Sequence, residues 1–92
     1  MSDGTMRQLA IINVKGLHAR ASAKFVDVVE RFNADAQVEK DGMRVSGDSI
    51  MGLLMLAAPR GTEITVTTTG PEATELADAL EALVQDYFGE GM

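Results

Sequence analysis

The chain has 92 residues, a formal net charge of −6, a single histidine and no cysteine or tryptophan. That length allows one compact core. The acidic balance argues against nucleic acid or an anionic membrane as partner, and the lack of cysteine rules out a disulfide framework and fits a reducing compartment. No apolar run is long enough to cross a bilayer and no charged-then-apolar leader opens the chain. The expectation is a soluble cytoplasmic protein, one domain over 1–92, with 1–6 as a loose leader.

Residues 7–14 (RQLAIINV) are β-rich and predict a strand that Gly16 ends. Over 19–33, Ser22, Phe25, Val26, Val29 and Phe32 recur at helical spacing, Ala23 adds to the stripe, and Asn33 is the expected terminator. Residues 36–40 and 43–46 flank Asp41-Gly42, the two-residue signal of a type I′ hairpin. Asp48 or Ser49 can cap a helix over 50–57, which Pro59 and Gly61 bring to an end. The β-branched run 63–69 (EITVTTT) predicts a strand with Ile64 and Val66 on one side and the threonines largely on the other. Gly70-Pro71-Glu72 opens the last helix, with Pro71 suited to its first position. Its core stripe is Ala73, Leu76, Ala77, Leu80, Leu83, Val84 and Tyr87. The order β-α-β-β-α-β-α predicts an α+β fold with every helix on one face of one sheet.

The chemistry concentrates at Lys15-Gly16-Leu17-His18-Ala19-Arg20-Ala21-Ser22, where a strand gives way to a helix. A neutral imidazole can take a phosphoryl group as a phosphoramidate and give it up again. The amides of Ala19 and Arg20 at the helix start, with the Arg20 guanidinium, could hold the phosphoryl oxygens. Lys15, Arg20 and Lys24 make a local basic patch suited to an anionic ligand or a partner with an acidic rim. For a histidine taken alone, capping the helix is the stronger reading.

The segment 49–57 is apolar on nearly every side. If Leu53 and Leu56 face inward, then Ile50, Met51, Leu54 and Met55 face at least partly outward and form a docking surface, with a buried helix or a dimer seam as alternatives. Ser49 reads first as an N-cap. Phosphorylated, it would place charge beside that patch. No metal-ligand spacing, nucleotide-binding loop or Ser-His-Asp pattern is present, so neither a metal nor a cofactor is expected.

Gly16-Leu17-His18-Ala19-Arg20 resembles the active-site motif of HPr, the histidine-containing phosphocarrier of the bacterial phosphotransferase system. Ser49-Ile50-Met51-Gly52 resembles its regulatory-serine segment, and Gly61-Thr62-Glu63-Ile64 the turn and strand that follow. The likeness runs from about Met6 to Phe88. It implies an open-faced β-sandwich, a four-stranded antiparallel sheet in the order 1-4-2-3 with three helices on one face. It also implies that the protein is a carrier and not a turnover enzyme. His18 would take phosphate at Nδ1 from phosphorylated enzyme I and pass it to an EIIA-type protein, with Arg20 as phosphate partner. Ser49 would be a target of HPr kinase/phosphorylase, and Ile50, Met51, Leu54 and Met55 match positions where the family docks its partners. A monomer is expected. The Met-rich SIMGLLML helix looks closer to the nitrogen-related branch than to the sugar-uptake branch. Ala21 stands where many members have proline, Lys15 where a small polar residue is frequent, and Asp48 where lysine is common. The competing reading is a non-catalytic interaction module that works through the 49–57 helix.

Overall fold

Four short alternating segments build an antiparallel sheet in the computed structural model, which describes residues 4–91. They are β1 (Thr5–Ala10), β2 (Asp35–Lys40), β3 (Met43–Ser46) and β4 (Glu63–Thr69), in the spatial order β1-β4-β2-β3. Register decides which side chains meet the core. Leu9 pairs with Ile64 and Val38 with Val66, so these four point to the same buried face. Gln8 pairs with Thr65 and Gln37 with Thr67 on the opposite, open face. Thr68 keeps the inward parity of Ile64 and Val66. Its hydroxyl is buried but satisfied, donating to the Ala73 carbonyl at 2.7 Å.

Three α-helices supply the other layer: α1 (Ala19–Val29), α2 (Ile50–Leu56) and α3 (Ala73–Gln85). Phe25, Leu53, Leu56, Leu76 and Leu80 meet Leu9, Val38, Ile64 and Val66 in one core. The β2–β3 hairpin turns at Asp41 and Gly42, both at positive φ (52° and 83°), as the Asp-Gly pair predicts. On the far side Arg7 of β1 reaches Glu81 at 2.6 Å and Asp78 at 2.9 Å on α3, a partly exposed clamp of modest strength.

Several boundaries differ from the sequence expectation, each for a local reason. β1 begins at Thr5, inside the expected leader, and ends at Ala10 instead of residue 14. Beyond it the chain still pairs once, Ile11 N–H to Thr62 O at 2.8 Å, and then turns, with Gly16 N–H to Asn13 O at 3.1 Å. The rest of that leader, apart from Gly4, lies outside the described residues. Ala23 is exposed, off the core stripe. α1 stops at Val29 with Glu30 as its C-cap, so Asn33 is not the terminator. Asn33 instead joins the start of α3: its N–H donates to the Glu72 carboxylate at 2.6 Å and its carbonyl accepts from Glu72 N–H at 3.1 Å. Glu72 is thereby the N-cap of α3, which places Pro71 just outside the helix.

The largest change is at the C-terminal end. Tyr87 and Phe88 adopt left-handed backbone (φ 57° and 53°) in a short 3-10 turn over Tyr87–Gly89. The expected stripe residue Tyr87 is exposed, and Phe88 is fully buried in its place. Two consecutive left-handed residues swing the chain out of the helical phase, so the aromatic that meets the core is one position later. Phe88→Ala is expected to lower stability by about 3 kcal/mol, and Tyr87→Ala by less than about 1 kcal/mol. Urea unfolding of the two variants checks the order, and equal losses would contradict the placement.

Candidate functional site

The strand-to-helix junction is shaped by Gly16. Its φ is +65°, and a Cβ there would lie 2.5 Å from the Ala58 carbonyl oxygen and 2.9 Å from Pro59 Cα. Only glycine fits both constraints. Leu17 then donates its N–H to that same Ala58 oxygen at 2.9 Å and buries its side chain. Ser22, also buried, donates its hydroxyl to Leu17 O at 3.2 Å and its N–H to His18 O at 2.8 Å. His18 is left in extended backbone as the N-cap of α1, and its Nδ1 accepts from the Arg20 N–H at 3.1 Å. With Nδ1 accepting, a neutral ring carries its proton on Nε2.

That second nitrogen meets a residue from the far end of the chain. Nε2 lies 2.5 Å from Glu90 Oε2. Glu90 Oε1 accepts from Asn13 Nδ2 at 3.1 Å, and the same amide nitrogen donates to Gly16 O at 2.8 Å. Flipping the Asn13 amide would point its oxygen at two acceptors, so this network sets its orientation. Asn13 is fully buried, and its Oδ1 has no hydrogen-bond partner. The tail that carries Glu90 is anchored by the Phe88 side chain and by Lys24 Nζ, which donates to Phe88 O at 2.6 Å. Burial pushes the Glu90 carboxyl up. The hydrogen bonds from Asn13 and His18, with the charges of His18 and Lys15, outweigh that and hold it below its ordinary value.

Lys15, Arg20, Lys24 and Glu90 border one hollow of about 460 Å³, together with Val14 and Gly89. The expected basic patch is therefore assembled, although Lys24 is half-buried and tied to the tail. A shallower groove joins His18 to Leu54 and Ala57 at the end of α2. Along α2, Leu53 and Leu56 are buried, while Ile50, Met51, Leu54 and Met55 are exposed, Met51 at 68%. Ser49 is the N-cap, its Oγ accepting from Gly52 N–H at 3.0 Å. α2 ends at Leu56, because Ala57 turns left-handed (φ 50°) as its C-cap. His18, the basic groups and the apolar helix thus lie side by side. Asn13 and Glu90 are the site residues that sequence reasoning missed. A polar residue just before the Gly16 turn could have drawn attention to Asn13, whereas nothing in the Gly-Glu-Gly tail marks Glu90. Among the described residues no cluster of His, Cys, Asp or Glu could hold a metal ion.

A family model described as "PTS HPr component phosphorylation site" matches residues 5–86. The chain is 48% identical over 85 residues to the phosphocarrier protein HPr of Neisseria meningitidis serogroup B, covering 92% of this chain and 96% of that protein. It is 46% identical over 85 residues to the HPr of Cupriavidus necator, with the same coverage. Among solved structures, an HPr from Thermoanaerobacter tengcongensis superposes with a TM-score of 0.91 at 34% identity, covering 96% of this chain and 99% of that one. The phosphocarrier protein HPr of Bacillus anthracis gives 0.82 at 42% identity, covering 86% and 94%. The sheet order, the helical layer and these likenesses define a small phosphoryl-group carrier, not a turnover enzyme. The chain belongs to the HPr family, the phosphocarriers of the phosphotransferase system.

Because the Glu90 carboxyl is held below its ordinary value of 4.5, its contacts stabilise the fold fully above about pH 5. That contribution fades as pH falls through 4.5 and then through the lower folded value. The urea midpoint of the wild type is expected to exceed that of Glu90→Gln at about pH 6 and to approach it near pH 3. A gap that stays constant across this range would refute the assignment.

Proposed function

We propose that His18 is the residue that accepts the phosphoryl group, at Nδ1, from phosphorylated enzyme I, and passes it to an EIIA-type protein. The observation that carries this reading is that a chain of this phosphocarrier family has one histidine, and it stands at the N-terminus of a helix. The capping bond belongs to the resting state. As the phosphoryl group arrives, the Arg20 N–H exchanges Nδ1 for a phosphoryl oxygen, and the Ala19 amide in the same first turn is a second donor. The Arg20 guanidinium, on the rim of the basic hollow, adds a charge-assisted hydrogen bond. Glu90 is on the Nε2 side of the ring, away from the bond that forms.

Partners dock on the exposed apolar side chains Ile50, Met51, Leu54 and Met55, which adjoin His18 through the groove at Leu54. Lys15 faces an acidic rim on the partner, and Lys24 adds to the field from its tethered position. Methionine suits a surface that must fit both a donor and an acceptor protein. Ser49 is a target of HPr kinase/phosphorylase. A phosphate there adds about −1.5 to −2 charges beside the patch, next to the exposed Asp48, and weakens docking of an acidic partner. The protein acts as a monomer in the cytoplasm. No helix among the described residues is long and apolar enough to cross a membrane. A second reading, a non-catalytic interaction module, is favoured by the cap bond at Nδ1, since a capping histidine needs no chemistry.

Incubation with enzyme I and phosphoenolpyruvate separates the two. The wild type is expected to gain one acid-labile phosphate and His18→Ala none. Acid-labile phosphate on His18→Ala would overturn the carrier assignment to this residue. Met51→Asp or Leu54→Asp is expected to raise the KM for phosphoryl transfer about tenfold, or about 1.4 kcal/mol, with an unchanged urea midpoint. A KM unaffected by both would move docking elsewhere.

A further inference from the structure

The geometry points to Glu90 as a positioning residue that holds the charge of the His18 ring while the ring carries its phosphoryl group. The inference rests on His18 being the acceptor. When the Nδ1 lone pair forms the bond to phosphorus, the donor's bond to phosphorus breaks and its electron pair leaves with the donor. The Nε2 proton stays, so a neutral ring becomes a cation bearing a phosphoryl anion. On transfer onward the nitrogen–phosphorus bond breaks, its pair returns to Nδ1, and the ring is neutral again. The site must therefore accommodate a negative group on one side of the ring and a positive ring beside it.

Glu90, which touches the ring, shares its hollow with three cations. Lys15 from the loop before α1, and Arg20 and Lys24 from α1, line the hollow with Glu90 from the tail. The cations favour the phosphoryl group but oppose a cationic ring. Glu90 Oε2 is the group in contact with Nε2, at 2.5 Å. It is held there without the help of the ring: Asn13 binds its other oxygen at 3.1 Å, Lys24 binds the Phe88 carbonyl at 2.6 Å, and the Phe88 side chain is fully buried. The imidazole thus divides the site, with the Arg20 amide on the Nδ1 side and a prepositioned carboxylate on the Nε2 side. A ring that keeps its Nε2 proton is also the better leaving group when phosphate moves on.

The test is the pH at which the phosphorylated ring loses its Nε2 proton, followed by phosphorus and nitrogen NMR on the full chain after loading by enzyme I and phosphoenolpyruvate. Glu90→Gln keeps an oxygen for Asn13 but removes the charge. It is expected to lower that pH by about one unit, tenfold in proton affinity. The pH profile of transfer to an EIIA-type protein should move with it. Glu90→Asp, which retains the charge on a shorter arm, should shift both by less. Normal loading of Glu90→Gln with both values within about 0.2 units of the wild type would overturn the role of Glu90 and leave His18 as acceptor. Failure of the wild type to load overturns the carrier reading and this inference with it.

Discussion

Two loops touch at Gly16, and the site exists because they do. The chain leaving β1 could run straight into α1 only by colliding with the segment that follows α2. A residue with no Cβ, at positive φ, removes the collision and lets the Ala58 carbonyl reach the next amide, that of Leu17. From that single approach come the extended backbone of His18, its station at the head of α1, and its nearness to Leu54. The core beneath makes the arrangement rigid. Leu17, Ala58 and Leu56 are buried in the same cluster as Phe25 and Ile64, so the junction cannot drift without disturbing the packing between helices and sheet.

Around this frame the molecule separates its electrostatic tasks. Its net charge is negative, yet the hollow by His18 is bordered by three of its cations and one carboxylate. The carboxylate is itself restrained by a buried amide, and the cation nearest the tail is committed to a backbone carbonyl. The apolar residues of α2 carry no charge and lie beyond the groove at Leu54. A small chain can thus gather a basic hollow, a carboxylate on the imidazole and an exposed apolar helix face at one end of the fold, while the open sheet face, with Gln8, Gln37, Glu39, Thr65 and Thr67 beside the exposed Met6, is mostly polar.

Much of this was legible from residue order, and what was not has a common cause. The Asp41-Gly42 turn, the cap at Ser49 and the outward set on α2 are local properties, governed by φ preferences and helical periodicity. His18 could be placed at a helix start for the same reason, and Gly16-Leu17-His18-Ala19-Arg20 with Ser49-Ile50-Met51-Gly52 was enough to expect the family and its sheet order. The misplaced features depend on contacts between distant segments. Asn33 ends no helix because Glu72 captures its backbone, and β1 stops early because the chain must turn over Asn13 to meet Ala58. Tyr87 fits the periodicity of α3 but not its end, where left-handed residues exchange it for Phe88. Glu90 is invisible to any pattern, since its significance lies entirely in where Phe88 and Lys24 bring it.

The His18–Glu90 contact joins residues 72 positions apart. A loop of that span is among the last to close during folding, because its entropy cost is met only after the intervening elements have packed. A nascent chain that has emitted β1, α1 and the hairpin already holds Gly16 and His18, but it cannot yet place a carboxylate on the ring. The complete site therefore registers that α3 has seated. A protease that trimmed the tail after Phe88 would take away that carboxylate, yet among the described residues every buried side chain lies before the cut.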